Sequence, residues 1–200
     1  MAATATVSSV TVTQGDIGRQ TGHSTLADED LMVRYGRGDR DAFDELYRRH
    51  RAGLHRFIRR MTGPEADEVF QEVWLAVIKS RQRYEPTARF MTYLYTIAHH
   101  RAVARLRRKG LYDGDSDDGD ATADDAPGPF EATLGGELAN ALQAAIDALP
   151  AAQREAFLMQ AEGGLSLDVI AAASGASRET VKSRLRYASR RLRAALEMFR

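Results

Sequence analysis

The 200-residue chain contains no cysteine. That excludes disulfides, thiolate metal ligands, iron–sulfur clusters and cysteine nucleophiles. Proline is scarce, five residues against sixteen glycines, and no collagen-like repeat is present. No run of eighteen apolar residues occurs, so no membrane insertion is expected. The first thirty residues lack the basic start and apolar core of a secretory signal, and the chain reads as cytoplasmic. Also missing are HExxH, a Walker glycine loop and GxSxG. No carboxylate pair stands out among the surface acids. No enzymatic activity, catalytic residue, metal site or cofactor is therefore expected. What remains, 44% hydrophobic and 28% charged residues, is the composition of folded protein, long enough for one medium domain or two small ones.

The formal net charge of zero conceals blocks of opposite sign. Residues 1–30 sum to −3, 31–110 to +9, 111–147 to −10, 148–176 to −2 and 177–200 to +6. Lysine and arginine are absent from the whole of 111–147. Segregation on this scale reports interaction surfaces or unstructured segments. Residues 1–25 read as a disordered tail, rich in Ala, Thr, Ser and Gly. Residues 111–130 read as a flexible acidic linker, since small residues and repeated Asp bury no apolar area to offset the entropy of ordering. Two domains are left, 26–110 and 131–200.

In the first, Phe43, Leu46, Tyr47, His50, Leu54, Phe57, Ile58 and Met61 recur at steps of three and four, which predicts a helix from about Asp39 to Met61. Gly63-Pro64 ends it and opens the next, which buries Ala66, Val69, Phe70, Val73 and Val77 and displays Asp67, Glu68, Gln71 and Glu72. A short helix is expected before them at Leu31–Gly36, and a long one after them from about Ala88 to Lys109. In the second domain the spacing predicts helices over Leu134–Ala148, Ala151–Ala161 and Leu167–Ala173, the last capped by Ser166. Gly175 makes a turn, and Ser177 caps a final helix with Val181, Leu185, Ala188 and Leu192 inward. The fold class is all-α: two small helical domains, the second ending in a helix-turn-helix.

The final helix carries what major-groove reading needs. Arg178, Glu179 and Thr180 occupy its first turn, with Lys182, Arg186 and Arg190 one turn apart beyond them. Arg184, Arg191 and Arg193 suit phosphate contacts. A solvated basic helix with no nucleic acid is the plain alternative. The patch Asp67, Glu68, Gln71 and Glu72, with Trp74 nearby, would repel phosphate and fits a basic protein partner, or else an ordinary wet face. Between Tyr84 and Lys109 aromatic and basic residues interleave, which suits unstacked bases, although Phe90 and Leu94 also fit core positions. His99 and His100 are adjacent, about 100° apart on a helix, so they do not share a metal and are expected to face phosphate or solvent.

Three stretches carry a family resemblance. PEADEVFQEVWLAV at 64–77, RFMTYLYTIAHHRAVARLRR at 89–108, and LPAAQREAFLM with GLSLDVIAAASGASRETVKSRLRYASRRLR within 149–193 resemble, in that order, a bacterial RNA polymerase sigma factor of the extracytoplasmic-function group. The resemblance implies partners: core RNA polymerase, through the clamp helices of its largest subunit, promoter DNA, and an anti-sigma factor. It implies that Asp67, Glu68, Gln71, Glu72 and Trp74 bind core polymerase. It places Arg83, Tyr84, Arg89, Phe90, Tyr93, His99, His100, Arg101 and Arg105 at the −10 element and its melting. It assigns the −35 element to Arg178, Glu179, Thr180, Lys182, Ser183, Arg184, Arg186 and Arg190. Tyr93 stands where the family usually has Trp, and His99-His100 where it has Arg-Asn. A helix-turn-helix regulator that never touches polymerase is the rival reading, and the acidic patch at 67–72 argues against it.

Overall fold

A computed structural model of the chain describes residues 23–111 and 134–199. Most of the expected tail and acidic linker lies outside the described residues. Within them all regular structure is helical: α1 (Asp28–Gly36), α2 (Arg40–Thr62), α3 (Ala66–Ser80), α4 (Phe90–Arg108), α5 (Leu134–Asp147), α6 (Ala151–Ala161), α7 (Leu167–Ser174) and α8 (Arg178–Ala195). Among the described residues no helix is long and apolar enough to cross a membrane.

Local chemistry sets the boundaries. The Asp39 carboxylate accepts from Ala42 N–H and starts α2, and Gly63, at φ 61°, ends it. Ser166 and Ser177 cap α7 and α8 by accepting from Val169 N–H and Thr180 N–H. Between those two helices Gly175 adopts φ 68°, the left-handed conformation that a side chain resists. The tail ends earlier than expected. His23 bonds Asp39 at 2.9 Å, and the Arg49 guanidinium donates to the carbonyls of His23, Ser24 and Leu26.

The first helical unit packs α1 on α2, α2 on α3 and α4, and α3 on α4. Leu46, Leu54, Phe57, Ile58, Val69, Val73, Val77 and Leu94 are fully buried between them. Each such side chain contributes roughly 1.5–3 kcal/mol of transfer free energy. In the second unit α8 receives α5, α6 and α7 on its Val181, Leu185, Ala188 and Leu192 stripe. One face assignment needs correction. Trp74 is buried, 5% exposed, while Phe70 is only half-buried. The indole enters an aromatic cluster with Phe43 and Tyr47, ring centroids 5.6 and 5.0 Å away, and the remaining width of α3's apolar stripe is on that side.

The two units also touch each other, α2 meeting α6 and α4 meeting α7. Tyr95 of α4 lies against Gly163, where a Cβ would stand 3.0 Å from the ring. Arg60 and Arg56 reach Glu162 at 2.6 and 3.2 Å, and Arg60 also donates to Gln143. At the centre His99 Nε2 donates to Glu155 Oε1 at 2.8 Å, with the two side chains 3% and 1% exposed.

Candidate nucleic-acid and polymerase interface

Successive positions four apart on a helix advance about 40° around its axis. Arg178, Lys182, Arg186 and Arg190 therefore form one basic stripe flanking the buried side of Val181 and Leu185, and all four are exposed, as is Glu179. Their ion pairs are loose: Arg178 to Asp168 at 3.5 Å and Lys182 to Glu179 at 3.8 Å. Exposed pairs of this kind are worth little and yield easily to phosphate or bases. Thr180 and Ser183 are half-buried, and the Thr180 hydroxyl is engaged with Ser177 Oγ at 2.8 Å in the helix cap. Arg184 is half-buried on the flank. Tyr187 went unnoticed in the sequence. Its ring lies 5.1 Å from the guanidinium carbons of both Arg186 and Arg190, which holds the two arginines side by side. The Arg-Tyr-x-x-Arg spacing was the available signal.

The segment between α3 and α4 forms an aromatic hollow. Tyr84 and Tyr93 meet edge to face at 5.2 Å, and a cavity of about 300 Å³ opens beside them, lined also by Glu85, Thr87, Ala88, Thr92, Thr96 and Ile97. Ser80 Oγ hydrogen-bonds the Tyr93 hydroxyl and orients that ring. Burial, with a smaller contribution from Glu29, Tyr93 and Asp28, pushes the Tyr84 phenol up to about 12, so it stays protonated. Arg83 and Arg89, which flank this segment in sequence, are exposed.

Two expected members of this site are buried. Phe90 has no exposed surface: its ring backs the hollow, 6.3 and 6.2 Å from those of Tyr84 and Tyr93, and packs on His50 at 5.4 Å, so it presents no face to a base. His99 faces neither phosphate nor solvent but the Glu155 carboxylate of the other unit. Only His100 and Arg101 point outward from that turn of α4. Arg105 is half-buried and bridges Glu65, at 2.7 Å, and Glu68.

On α3 the acidic patch is open. The Asp67 side chain is 85% exposed and accepts from His55 Nε2 at 2.9 Å. Glu68 and Gln71 are exposed and Glu72 half-buried. Trp74, 5% exposed, packs against Phe43, Tyr47 and Phe70. Leu75, 51% exposed, is the apolar neighbour that the sequence reading missed. Also unanticipated was a cleft between the units, about 1030 Å³, onto which Arg56, Arg59, Arg60 and Arg154 open. Among the described residues no group of three or more His, Asp or Glu could hold a metal ion.

A basic helix-turn-helix, an aromatic hollow beside cations and an exposed acidic patch are thus carried by one all-helical chain. Residues 46–111 match the family model for Sigma-70 region 2, and 139–192 match that for Sigma-70 region 4. The chain is similar to the RNA polymerase sigma factor CarQ of Myxococcus xanthus, 34% identical over 169 residues, covering 82% of this chain and 95% of the relative. It is 31% identical over 173 residues to the ECF RNA polymerase sigma factor SigM of Mycobacterium tuberculosis, covering 86% and 85%. Its fold is similar to CnrH, solved with the cytosolic domain of CnrY, at TM-score 0.60 and 23% identity, covering 86% of this chain and 99% of that one. It is similar too to the sigma factor RpoE of Bartonella quintana, solved with the anti-sigma factor NepR, at TM-score 0.58 and 22% identity, covering 79% and 98%.

Proposed function

The chain belongs to the extracytoplasmic-function group of the sigma-70 family, sigma factors that bind core RNA polymerase and recognise promoters, and we propose how its surfaces divide that work. The α8 stripe reads the −35 element. Its first turns, with Arg178, Glu179, Lys182 and Arg186, enter the major groove, where arginine pairs with guanine and a carboxylate accepts from cytosine. Arg190 and Arg193 follow the phosphates. The Tyr84–Tyr93 hollow takes an unstacked base of the −10 region, with Arg83, Arg89, His100 and Arg101 on the backbone around it. Asp67, Glu68 and Gln71, with Leu75 beside them, dock on core polymerase. The polymerase supplies the catalysis, and the sigma factor supplies position and strand opening.

The closed packing of the two units adds a requirement. Elements named −10 and −35 lie about 25 base pairs apart, or about 85 Å at roughly 3.4 Å per pair. A compact body of this many residues is about 40 Å across. Both elements are engaged only after the α2–α6 and α4–α7 contacts part. An anti-sigma factor is a proposed partner that holds the closed form. The likeness to the folds of CnrH, solved with the cytosolic domain of CnrY, and of RpoE, solved with the anti-sigma factor NepR, supports this.

The observation that carries the reading is the open Arg178–Arg190 stripe on a Ser177-capped helix, with the acidic α3 patch open on the same chain. The test is to add the purified protein to core polymerase and measure complex formation, then binding of promoter-length duplexes by the complex. The reading expects stable association and sequence-selective DNA binding only in the presence of core enzyme. Selective DNA binding without any affinity for core would instead identify a free-standing helix-turn-helix regulator.

A further inference from the structure

Helix α4 begins at the edge of the aromatic hollow without a cap of its own. Its N-cap residue, Arg89, makes no side-chain capping bond. The Phe90 N–H instead donates to Glu29 Oε1 of α1 at 2.6 Å, a contact across 61 positions of sequence. A carboxylate at a helix N-terminus both accepts from an orphan N–H and meets the positive end of the helix dipole. Glu29 is therefore the cap of α4, supplied from another helix.

The other end of the same loop is gripped by the same helix. The α1 helix packs on the turn Arg81–Arg83. Its last residue, Gly36, approaches so closely that a Cβ there would stand 2.6 Å from the Arg81 carbonyl oxygen. The Arg81 guanidinium lies 5.8 Å from the Tyr35 ring, also on α1. The helix is itself bolted to α2: Asp28 takes Arg49 at 2.7 Å and His50 at 2.8 Å. Residues 81–89, which carry Tyr84, are thus tied at both ends to one rigid element.

We propose that α1 is a splint for the base-capturing loop, with Glu29 and Gly36 as positioning residues for promoter opening. The proposal rests on the reading that the Tyr84–Tyr93 hollow takes an unstacked base. With the splint intact, Tyr84 and Tyr93 stand ready at their 5.2 Å spacing when a base leaves the stack. Without it the loop must be ordered during melting, and opening slows.

The test uses the full chain with core polymerase and a promoter duplex chosen from genomic fragments by transcription with the wild-type holoenzyme. A second template carries mismatches across the −10 region, so that its strands are already apart. The variants are Glu29→Gln, Gly36→Ala and, as a check on the hollow itself, Tyr84→Ala. Strand opening is followed by permanganate reactivity of thymines, alongside affinity for core enzyme and for an isolated −35 duplex. Glu29→Gln keeps an oxygen acceptor for Phe90 N–H but removes the negative charge facing the start of the helix, a loss that slows opening by about two- to fivefold. Glu29→Gln is expected to show that delay on the paired duplex, a much smaller one on the mismatched template, and unchanged affinity for core and the −35 duplex. Normal opening by Glu29→Gln while Tyr84→Ala is defective would overturn the splint and leave the hollow standing. Normal opening by Tyr84→Ala would overturn the hollow, and the splint with it. A Glu29→Gln defect equal on both templates, or one shared by core affinity, would reduce Glu29 to a purely structural role and overturn the proposal. If Gly36→Ala does not fold, Glu29→Gln alone decides.

Discussion

Replacing Glu155 by alanine removes the centre of the contact between the two units. His99 and Glu155 are 3% and 1% exposed, so water cannot take the lost partner's place while the units stay closed. The His99 Nδ1 already has no hydrogen-bond partner, so in the variant neither ring nitrogen would have one from this pair. A buried polar group left unsatisfied costs about 1–3 kcal/mol. Parting the units lets water reach the imidazole and relieves that cost, so the closed-to-open ratio should fall about 5- to 150-fold. The remaining ties, Arg60 and Arg56 to Glu162, are more exposed and worth less. The chain has no native cysteine, so dyes can be placed at two introduced ones, for instance Lys79→Cys on α3 and Ala194→Cys on α8, both exposed positions. Energy transfer between them should drop in Glu155→Ala, and less in Glu155→Gln, which keeps an acceptor for His99. Circular dichroism checks that the helices persist. Unchanged transfer in Glu155→Ala, with the helices intact, would refute the assignment of this pair as the tie between the units.

Three other perturbations separate the surfaces. Asp67→Lys should weaken binding to core polymerase by an amount set by the charge pair it breaks, about 2–5 kcal/mol if the contact is desolvated, with a stability change under about 0.5 kcal/mol; titration against core enzyme and a thermal melt check both. Arg186→Ala should cost about 1–3 kcal/mol on the cognate −35 duplex and narrow its advantage over a scrambled one, whereas Arg193→Ala should weaken both alike and reduce the salt slope by about 0.9; a salt titration on the two duplexes reads the difference. Hydrogen bonds from Arg48 and Arg49, against some opposing burial, lower the Glu45 carboxyl from 4.5 to about 2. A carboxyl lowered in the folded state stabilises above its unfolded value and loses that contribution as pH falls through the folded one, so denaturant unfolding should show stability declining from about pH 4.5 toward 2, and less steeply in Glu45→Gln.

The helices were legible because their apolar positions recur at three and four and their ends carry local chemistry. Ser166, Ser177 and Gly175 act where they stand in the chain, and each does what its type predicts. The outward stripe of α8 followed from the same periodicity, since Val181 and Leu185 fix which side is buried. The misplaced residues are those whose environment comes from a distant segment. Trp74 and Phe70 flank one stripe, and only the positions of Phe43 and Tyr47 on α2 decide which ring goes under. Phe90 fits a core position by spacing, and its contacts with His50, Tyr84 and Tyr93 make it the buried floor of the hollow. Nothing local marks Glu155 as the partner of His99, 56 positions away, or Glu29 as the cap of a helix 61 positions away. Ion pairs and borrowed caps have no period, so pattern reading passes over them.

Run-off transcription tests the central claim most directly. The purified full chain is added to core polymerase lacking any other sigma factor, with promoter-length fragments of the source genome as template. The account predicts discrete transcripts that start at a fixed distance downstream of a shared pair of sequence elements, disappear without the protein, and are lost with Asp67→Lys or with Arg178→Ala and Arg186→Ala combined. No specific start above that of core enzyme alone, although the protein binds DNA selectively, would contradict it.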